Sequence, residues 1–325
     1  MTTLTQKNTV PASDSGGKKW LSFLADYSTI IFFVLMLAVA GILSDKFFTI
    51  ANITNVLRQS APLGIIALGM LFVILTGGID LSVGSMMALV SVVVALLMPN
   101  FGLLLSLFAG VSIATIIGSI SGGLVSYFRI APFIATLAMM TIARGIAQIV
   151  TKGQPVFIDH AGFKSFGEGY FLGLPLPVYV FIAFAILAHI IYKKTTFGRL
   201  VISIGSNETA TRFAGIRVER YKFAVYALSG LACGIGGIIA TSRTGVGSPV
   251  MSESFELDAI AAVVVGGASL AGGRGNVFNT VIGVLILGVI SNLMNLMKIS
   301  GNYQQVVKGL IIILAVLLES LKSKK

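Results

Sequence analysis

Apolar residues in this chain run in blocks of helix length rather than alternating, and short polar segments separate the blocks. A bilayer's hydrocarbon core is about 30 Å thick, so blocks of about 17–25 residues predict helices that cross it. Ten candidate spans follow: Tyr27–Leu43, Leu57–Thr76, Ser82–Met98, Leu103–Tyr127, Pro132–Val150, Leu176–Tyr192, Tyr221–Ala240, Leu257–Leu270, Val277–Met297 and Tyr303–Leu318. The eighth is short and runs into GGASLAGGRG, so it reads either as a full crossing or as a broken or re-entrant helix. The expected fold class is an all-α polytopic membrane protein with about ten transmembrane helices. A β-barrel would need alternation within each strand, which continuous runs exclude.

The polar segments divide the chain. Residues 1–22 form a polar amino-terminal tail, 23–320 the membrane domain, and 321–325 a basic carboxyl-terminal tail. Within the membrane domain one segment stands apart: 193–222, KKTTFGRLVISIGSNETATRFAGIRVERYK, with seven Lys/Arg against Glu208 and Glu219. Basic loops stay in the cytoplasm, and this one is expected there. Ten crossings from an inner amino terminus leave fifteen Lys/Arg in inner segments and six in outer ones. Both termini are therefore expected to be cytoplasmic. Trp20 suits the inner interface, and no small-residue cleavage site follows the first span, which reads as a retained anchor.

Composition supports the same class. The 325 residues are 56% hydrophobic and 11% charged, with a mean hydropathy of +0.96. The net charge of +11 sits at span ends, where a membrane accounts for it without nucleic acid. Cys233 is alone in an apolar span, and His160 and His189 lie far apart in sequence, so neither a disulfide framework nor a metal site is expected. Gly110, Ala114, Gly118, Gly122 and Ser126 recur every four residues and predict one smooth face for close helix packing.

Two glycine-rich stretches resemble each other: Gly77–Gly84, GGIDLSVG, and Gly266–Gly273, GGASLAGG. Each closes an apolar run, and six spans separate them, so the copies would run parallel. Glycine-interrupted helices in weak internal symmetry are a transporter feature. The basic segment carries a short-helix signature. Ser206 or Asn207 can cap its start, Glu208 sits in the first turn, and Gly215 stands where a helix stops. Ala210 and Ala214, four apart, would give that helix a flat face, and Glu208 and Arg212, also four apart, can pair or reach a partner's charges.

Four motifs together, GGIDLSVGS at Gly77–Ser85, PFIATLAMMTIARG at Pro132–Gly145, GSNETATRFAGI at Gly205–Ile216 and ELDAIAAVVVGGASLAGGRG at Glu256–Gly275, are distinctive. They resemble the ribose-permease-like family of membrane subunits in bacterial ATP-binding-cassette (ABC) sugar importers. The likeness runs from about Phe47 to Leu318. It implies a multi-pass protein of the bacterial inner membrane that carries a monosaccharide, ribose first, by alternating access. It also implies a second permease copy, most simply as a homodimer, a cytoplasmic ATPase subunit that uses ATP and Mg, and a periplasmic sugar-binding protein. In this resemblance Gly205–Ile216 is the coupling helix that docks on the ATPase, with Gly205, Asn207, Glu208, Ala210, Arg212, Ala214 and Gly215 as its residues. Glu208, Ala210 and Gly215 match the family's Glu-Ala-Ala…Gly pattern loosely: Thr209 replaces the first alanine and the glycine falls one residue late.

Polar residues within spans are the candidates for a sugar path. Asp80 and Ser82 sit at the end of the second span, where either can cap the third or face the path. Arg144 and Gln148 share a face of the fifth span and can line a wet cavity or snorkel outward. Gln304 and Lys308 repeat that spacing in the last span. Enzyme chemistry finds no support. GGASLAGGRG has Gly273 and Arg274 where a phosphate-cradling loop needs lysine and Ser/Thr, and no catalytic acid or nucleophile motif appears. No catalytic residue or cofactor is therefore expected on this chain. A permease for another sugar or an autoinducer is the alternative within the family. An ion-coupled secondary transporter is the alternative outside it, and the scarcity of intramembrane acids beyond Asp80 counts against that.

Overall fold

Six helices among residues 28–323, which the computed structural model describes, are long and apolar enough to cross a membrane. The tail 1–22 with Trp20 lies outside the described residues, as do Lys324 and Lys325. In chain order the helices are α1 (Ser28–Leu43), α2 (Ile50–Leu75), α3 (Val83–Ser126), α4 (Pro132–Thr151), α5 (Ala161–Glu168), α6 (Leu176–Lys194), α7 (Thr196–Ser206), α8 (Glu208–Phe213), α9 (Val218–Thr244), α10 (Phe255–Val265), α11 (Val277–Leu296) and α12 (Gly301–Ser323). The described residues are 77% helical, and their outer surface carries many large apolar side chains, such as Leu104, Phe108 and Ile149. This is the surface that lipid covers.

Helix α2 is the axis of the bundle. Every residue from Ser60 to Leu75 is buried, which matches its lack of a polar stripe. It begins at Ile50, earlier than the apolar block suggests, because the Thr49 side chain accepts the Asn52 amide at 3.3 Å and caps it there. Helices α3 and α9 pack along most of their length, and the four-residue small stripe is the reason. A Cβ on Gly118 would stand 2.4 Å from the Tyr226 carbonyl oxygen, and one on Gly230 2.4 Å from that of Ala114. Only glycine permits that approach. The two expected spans 82–98 and 103–127 form one assigned helix, α3, broken at Gly102, whose φ of 72° ends the first leg and starts the second.

The short eighth segment is a broken helix. At eleven residues α10 is about 16 Å long, half a hydrocarbon core. It stops at Gly266, and the chain stays irregular until Asn276 caps α11 through the Phe278 amide at 2.8 Å. A second surprise is local order between α4 and α6. Strand β1 (Val156–Phe157) pairs with β4 (Val246–Gly247), β2 (Tyr170–Phe171) pairs with β3 (Leu174–Pro175), and α5 lies between them. His160 caps α5, its Nδ1 accepting the Phe163 amide at 3.2 Å.

Candidate functional site

The basic segment folds as two short helices with different jobs. Thr195 caps α7 through the Gly198 amide at 3.2 Å, and α7 buries Gly198, Val201 and Ile204. Asn207, one of the two expected caps, then starts α8 by accepting the Ala210 amide at 2.8 Å. Gly215 follows with φ +81° and open space around it, as a helix stop requires. Glu208 pairs with Arg212 at 3.1 Å and with Lys222 at 2.5 Å, and Arg212 also pairs with Glu219. Partial burial pushes the Glu208 carboxyl up, but Lys222 and then Arg212 outweigh it and hold it below the usual carboxylate range. These ions tie α8 to the start of α9, so the Glu208–Arg212 pair, still partly open to solvent, is already engaged within the loop.

Beside the exposed polar Thr209 and Arg212, α8 and the stop after it expose an apolar edge: Ala210, Ala214, Gly215 and Phe213, which is 87% exposed. Phe213 was missed by spacing arguments centred on alanine, although a lone aromatic in a polar loop is a readable signal. Gly205, expected with the docking residues, sits elsewhere. A Cβ on it would stand 1.8 Å from the Leu75 carbonyl oxygen and 2.4 Å from the Gly273 amide. It belongs to the buried anchor, because α7 presses its backbone against the end of α2.

That anchor meets both glycine-rich turns. The Gly273 amide donates to the Leu75 carbonyl at 3.0 Å, and a Cβ on Gly272 would lie 2.8 Å from the Gly77 nitrogen and 3.0 Å from the Gly205 Cα. The two similar stretches thus touch each other and α7 at one point. Gly77, Gly272 and Gly273 have φ of +76°, +93° and +73°, which L side chains rarely adopt. In the first turn Asp80 is fully buried and saturated. It accepts the Ser82 amide at 3.0 Å, the Ser82 hydroxyl at 2.6 Å and the Ser229 hydroxyl at 2.8 Å. Ser82 makes no cap bond of its own. Both residues hold the turn against α9, and neither faces an open surface.

The remaining polar candidates separate. Arg144 leaves its helix to donate to Ser85 Oγ at 3.2 Å and to the Pro249 carbonyl at 3.3 Å, with Glu253 at 3.4 Å. Gln148, one turn on, is exposed and does not join it. Gln304 donates to Asn295 Oδ1 at 2.8 Å and to the Ile299 carbonyl at 2.9 Å, fastening α12 to the end of α11. Lys308 pairs with Asp258 at 2.7 Å. The expectation of few acids beyond Asp80 is therefore corrected: Glu256 and Asp258 lie in the first turn of α10, and Glu253 just precedes it. Residues far apart in sequence hid these pairs. The reciprocal Asn52–Asn292 bonds, at 2.9 and 2.8 Å, were hidden for the same reason.

A helical bundle with a lipid-facing apolar surface, broken helices and a structured basic loop defines a multi-pass membrane permease. The family model described as "Branched-chain amino acid transport system / permease component" matches residues 52–316, and the chain belongs to that family. It is 47% identical over 292 residues to the ribose import permease protein RbsC of Bacillus subtilis (strain 168), covering 89% of this chain and 91% of that one. Its identity to RbsC of Escherichia coli (strain K12) is 41% over 306 residues, 93% of this chain and 95% of the other. The L-arabinose transport system permease protein AraH of Escherichia coli (strain K12) is 37% identical over 314 residues, 96% and 94% of the two chains. No solved structure is found to match the chain.

Proposed function

We propose that this chain is the membrane-spanning subunit of an ATP-binding-cassette importer that carries ribose inward across the bacterial inner membrane by alternating access. Relatives named for ribose import, at 41–47% identity over most of their length, support ribose over other sugars. In this reading the protein crosses the membrane about ten times, α10 and the loop before it making one crossing together, with both termini in the cytoplasm. Two copies form the path. A periplasmic sugar-binding protein delivers ribose, and a cytoplasmic ATPase subunit docks on α8 and supplies all ATP and Mg chemistry.

The observation that carries the proposal is the contact of Gly205 with the end of α2 at Leu75 and with the Gly272–Gly273 turn. Helix α8 offers an apolar edge with Phe213, and α7 behind it presses against the end of α2 and the turn that follows α10. Motion of α8 therefore reaches α2 and α10 through direct backbone contacts, without a flexible intermediary. Ala210, Ala214 and Gly215 allow close approach of the ATPase, while Asn207, Glu208 and Arg212 keep α8 in place.

The test is uptake of labelled ribose into proteoliposomes holding this permease, its ATPase subunit and its binding protein. Uptake should require ATP and stop when a catalytic residue of the ATPase is disabled. Uptake that continued without the ATPase and followed a proton gradient would establish the ion-coupled alternative instead. Orientation is checked with an impermeant thiol reagent on a chain lacking Cys233. A cysteine at Leu172 should be labelled from outside the cell and one at Thr209 should not.

A further inference from the structure

Beside its close contact with α9, the outer face of α3 carries an open groove of about 570 Å³. Ser112, Thr115, Ile116, Ser119 and Ile120 line it, together with Phe223, which α9 places level with Gly122. Ile116 and Ile120 are 57% and 46% exposed. The Thr115 and Ser119 hydroxyls donate to carbonyls of their own helix at 2.8 and 2.7 Å, so the groove offers an apolar wall. Gly123 follows Ser119 by one turn on the same face, and a Cβ there would meet nothing within 4 Å. The open face therefore runs on to Gly123. From Ser112 to Gly123 is about 16 Å along the helix, close to the about 15 Å that one leaflet contributes to the hydrocarbon core.

Where the groove ends, the chemistry changes. A second cavity, of about 260 Å³, lies between the α3–α4 turn and the starts of α8 and α9. Ser126, Arg129, Glu208, Arg212, Glu219 and Lys222 line it, three cations against two carboxylates. Lys222 and Phe223 are neighbours in α9, one in each cavity, so the two adjoin. Arg212 and Lys222 share Glu208, and Arg212 also meets Glu219. Arg129 is exposed and joins no ion pair among the described residues. Its turn is fixed, because the Ile130 amide donates to the Leu124 carbonyl at 3.1 Å and Pro132 opens α4. Tyr127, 56% exposed and with its ring 6.2 Å from that of Phe223, stands between groove and charges, the level of an interfacial tyrosine. A free anion would use only the charged cavity, and a neutral acyl chain only the groove. An amphiphile with one negative charge at its head fits both, since the cavity has one positive charge in excess.

We infer that α3, its turn and the start of α9 form a seat for one anionic phospholipid of the cytoplasmic leaflet, with an acyl chain along Ile116 to Gly123 and the phosphodiester at Arg129 and Lys222. The inference takes its orientation from the permease reading above and nothing from the sugar. Anionic lipid is present on that side of a membrane, and basic cavities between helices there take its headgroups. A phosphate held between Arg129 and Lys222 ties the α3–α4 turn to the ion network that carries α8. The lipid thereby steadies the docking helix from the membrane side.

The experiment is native mass spectrometry of the full-length permease released from detergent, with phosphatidylglycerol as the probe and phosphatidylcholine as the reference without net charge. The wild type should retain phosphatidylglycerol about tenfold more than phosphatidylcholine, the effect of one hydrogen bond to a charged group. Arg129→Gln should remove that preference, and Arg129→Lys should keep most of it. Gly123→Leu, whose new side chain enters open space, should cut retention of both lipids by filling the groove. Thermal unfolding in lipid-free detergent should match the wild type in all three variants, which reports an intact fold. Equal retention of the two lipids by the wild type, or retention unchanged in Arg129→Gln and Gly123→Leu alike, would overturn the seat. So would displacement of the lipid by millimolar inorganic phosphate, by added ATPase subunit or by pairing of two permease copies. The first would make this a soluble-anion site, and the others a protein interface. Labelling of a cysteine at Thr209 from outside the cell would instead sink the orientation of the permease reading and leave lipid retention as measured.

Discussion

Replacing Gly205 with alanine adds one methyl group where the structure has no room. The new Cβ would meet the Leu75 carbonyl oxygen at 1.8 Å, whereas about 3 Å is the closest real approach. Both neighbours are backbone, so no side chain can rotate away. The end of α2 and the 266–275 turn must retreat from α7 by more than an ångström. That movement breaks the Gly273–Leu75 hydrogen bond, now 3.0 Å. Overpacking of this kind costs about 1–3 kcal/mol, and the lost bond about 0.5–1.5 kcal/mol more. The purified permease should therefore unfold at a temperature several degrees lower. The more telling effect is on coupling: the ATPase should still bind α8, whose surface is untouched, but ribose uptake should fall sharply while ATP hydrolysis persists. Gly215→Ala is the control. It meets open space and carries only the left-handed φ of +81°, about 1 kcal/mol of local strain. Wild-type thermal stability and uptake in Gly205→Ala would refute the idea that this contact transmits motion.

Three further outcomes are expected. Phe213→Ala should leave membrane insertion and thermal stability unchanged, since the ring is 87% exposed, yet weaken ATPase capture at least tenfold, as loss of an aromatic anchor does; unchanged capture in a pull-down at matched expression would remove Phe213 from the docking surface. Lys308→Ala should destabilise the permease by about 3 kcal/mol, because it leaves the largely buried Asp258 without its 2.7 Å partner, and Asp258→Asn in the same chain should recover most of the loss in a thermal unfolding assay. The ions holding α8 should resist acid: with its folded carboxyl depressed, Glu208 contributes above the ordinary carboxylate range of about 4.3 and loses that contribution only as pH falls through the lower folded value. Protection of residues 207–217 against hydrogen exchange, measured relative to the intrinsic rate at each pH, should accordingly hold from pH 7 to about 5 and fall only at stronger acidity.

The sequence by itself determined the fold class and the short helix that Asn207 starts and Gly215 stops, because each depends on residues close along the chain. Block length announces a span, a four-residue stripe of Gly110, Ala114, Gly118 and Gly122 announces a packing face, and Asn207 with Gly215 brackets a short helix. The likeness of Gly77–Gly84 to Gly266–Gly273 was equally legible. Which residues meet across the bundle was decided only by tertiary structure. Asp80 finds Ser229, Lys308 finds Asp258 and Arg144 finds Glu253 through helix adjacency, and no local period encodes adjacency. Gly205 shows the difference most plainly. In sequence it reads as the first residue of an exposed docking helix. In the fold it packs the base of that helix against the end of α2 and the turn after α10, because α7 turns one face of the basic loop into the protein.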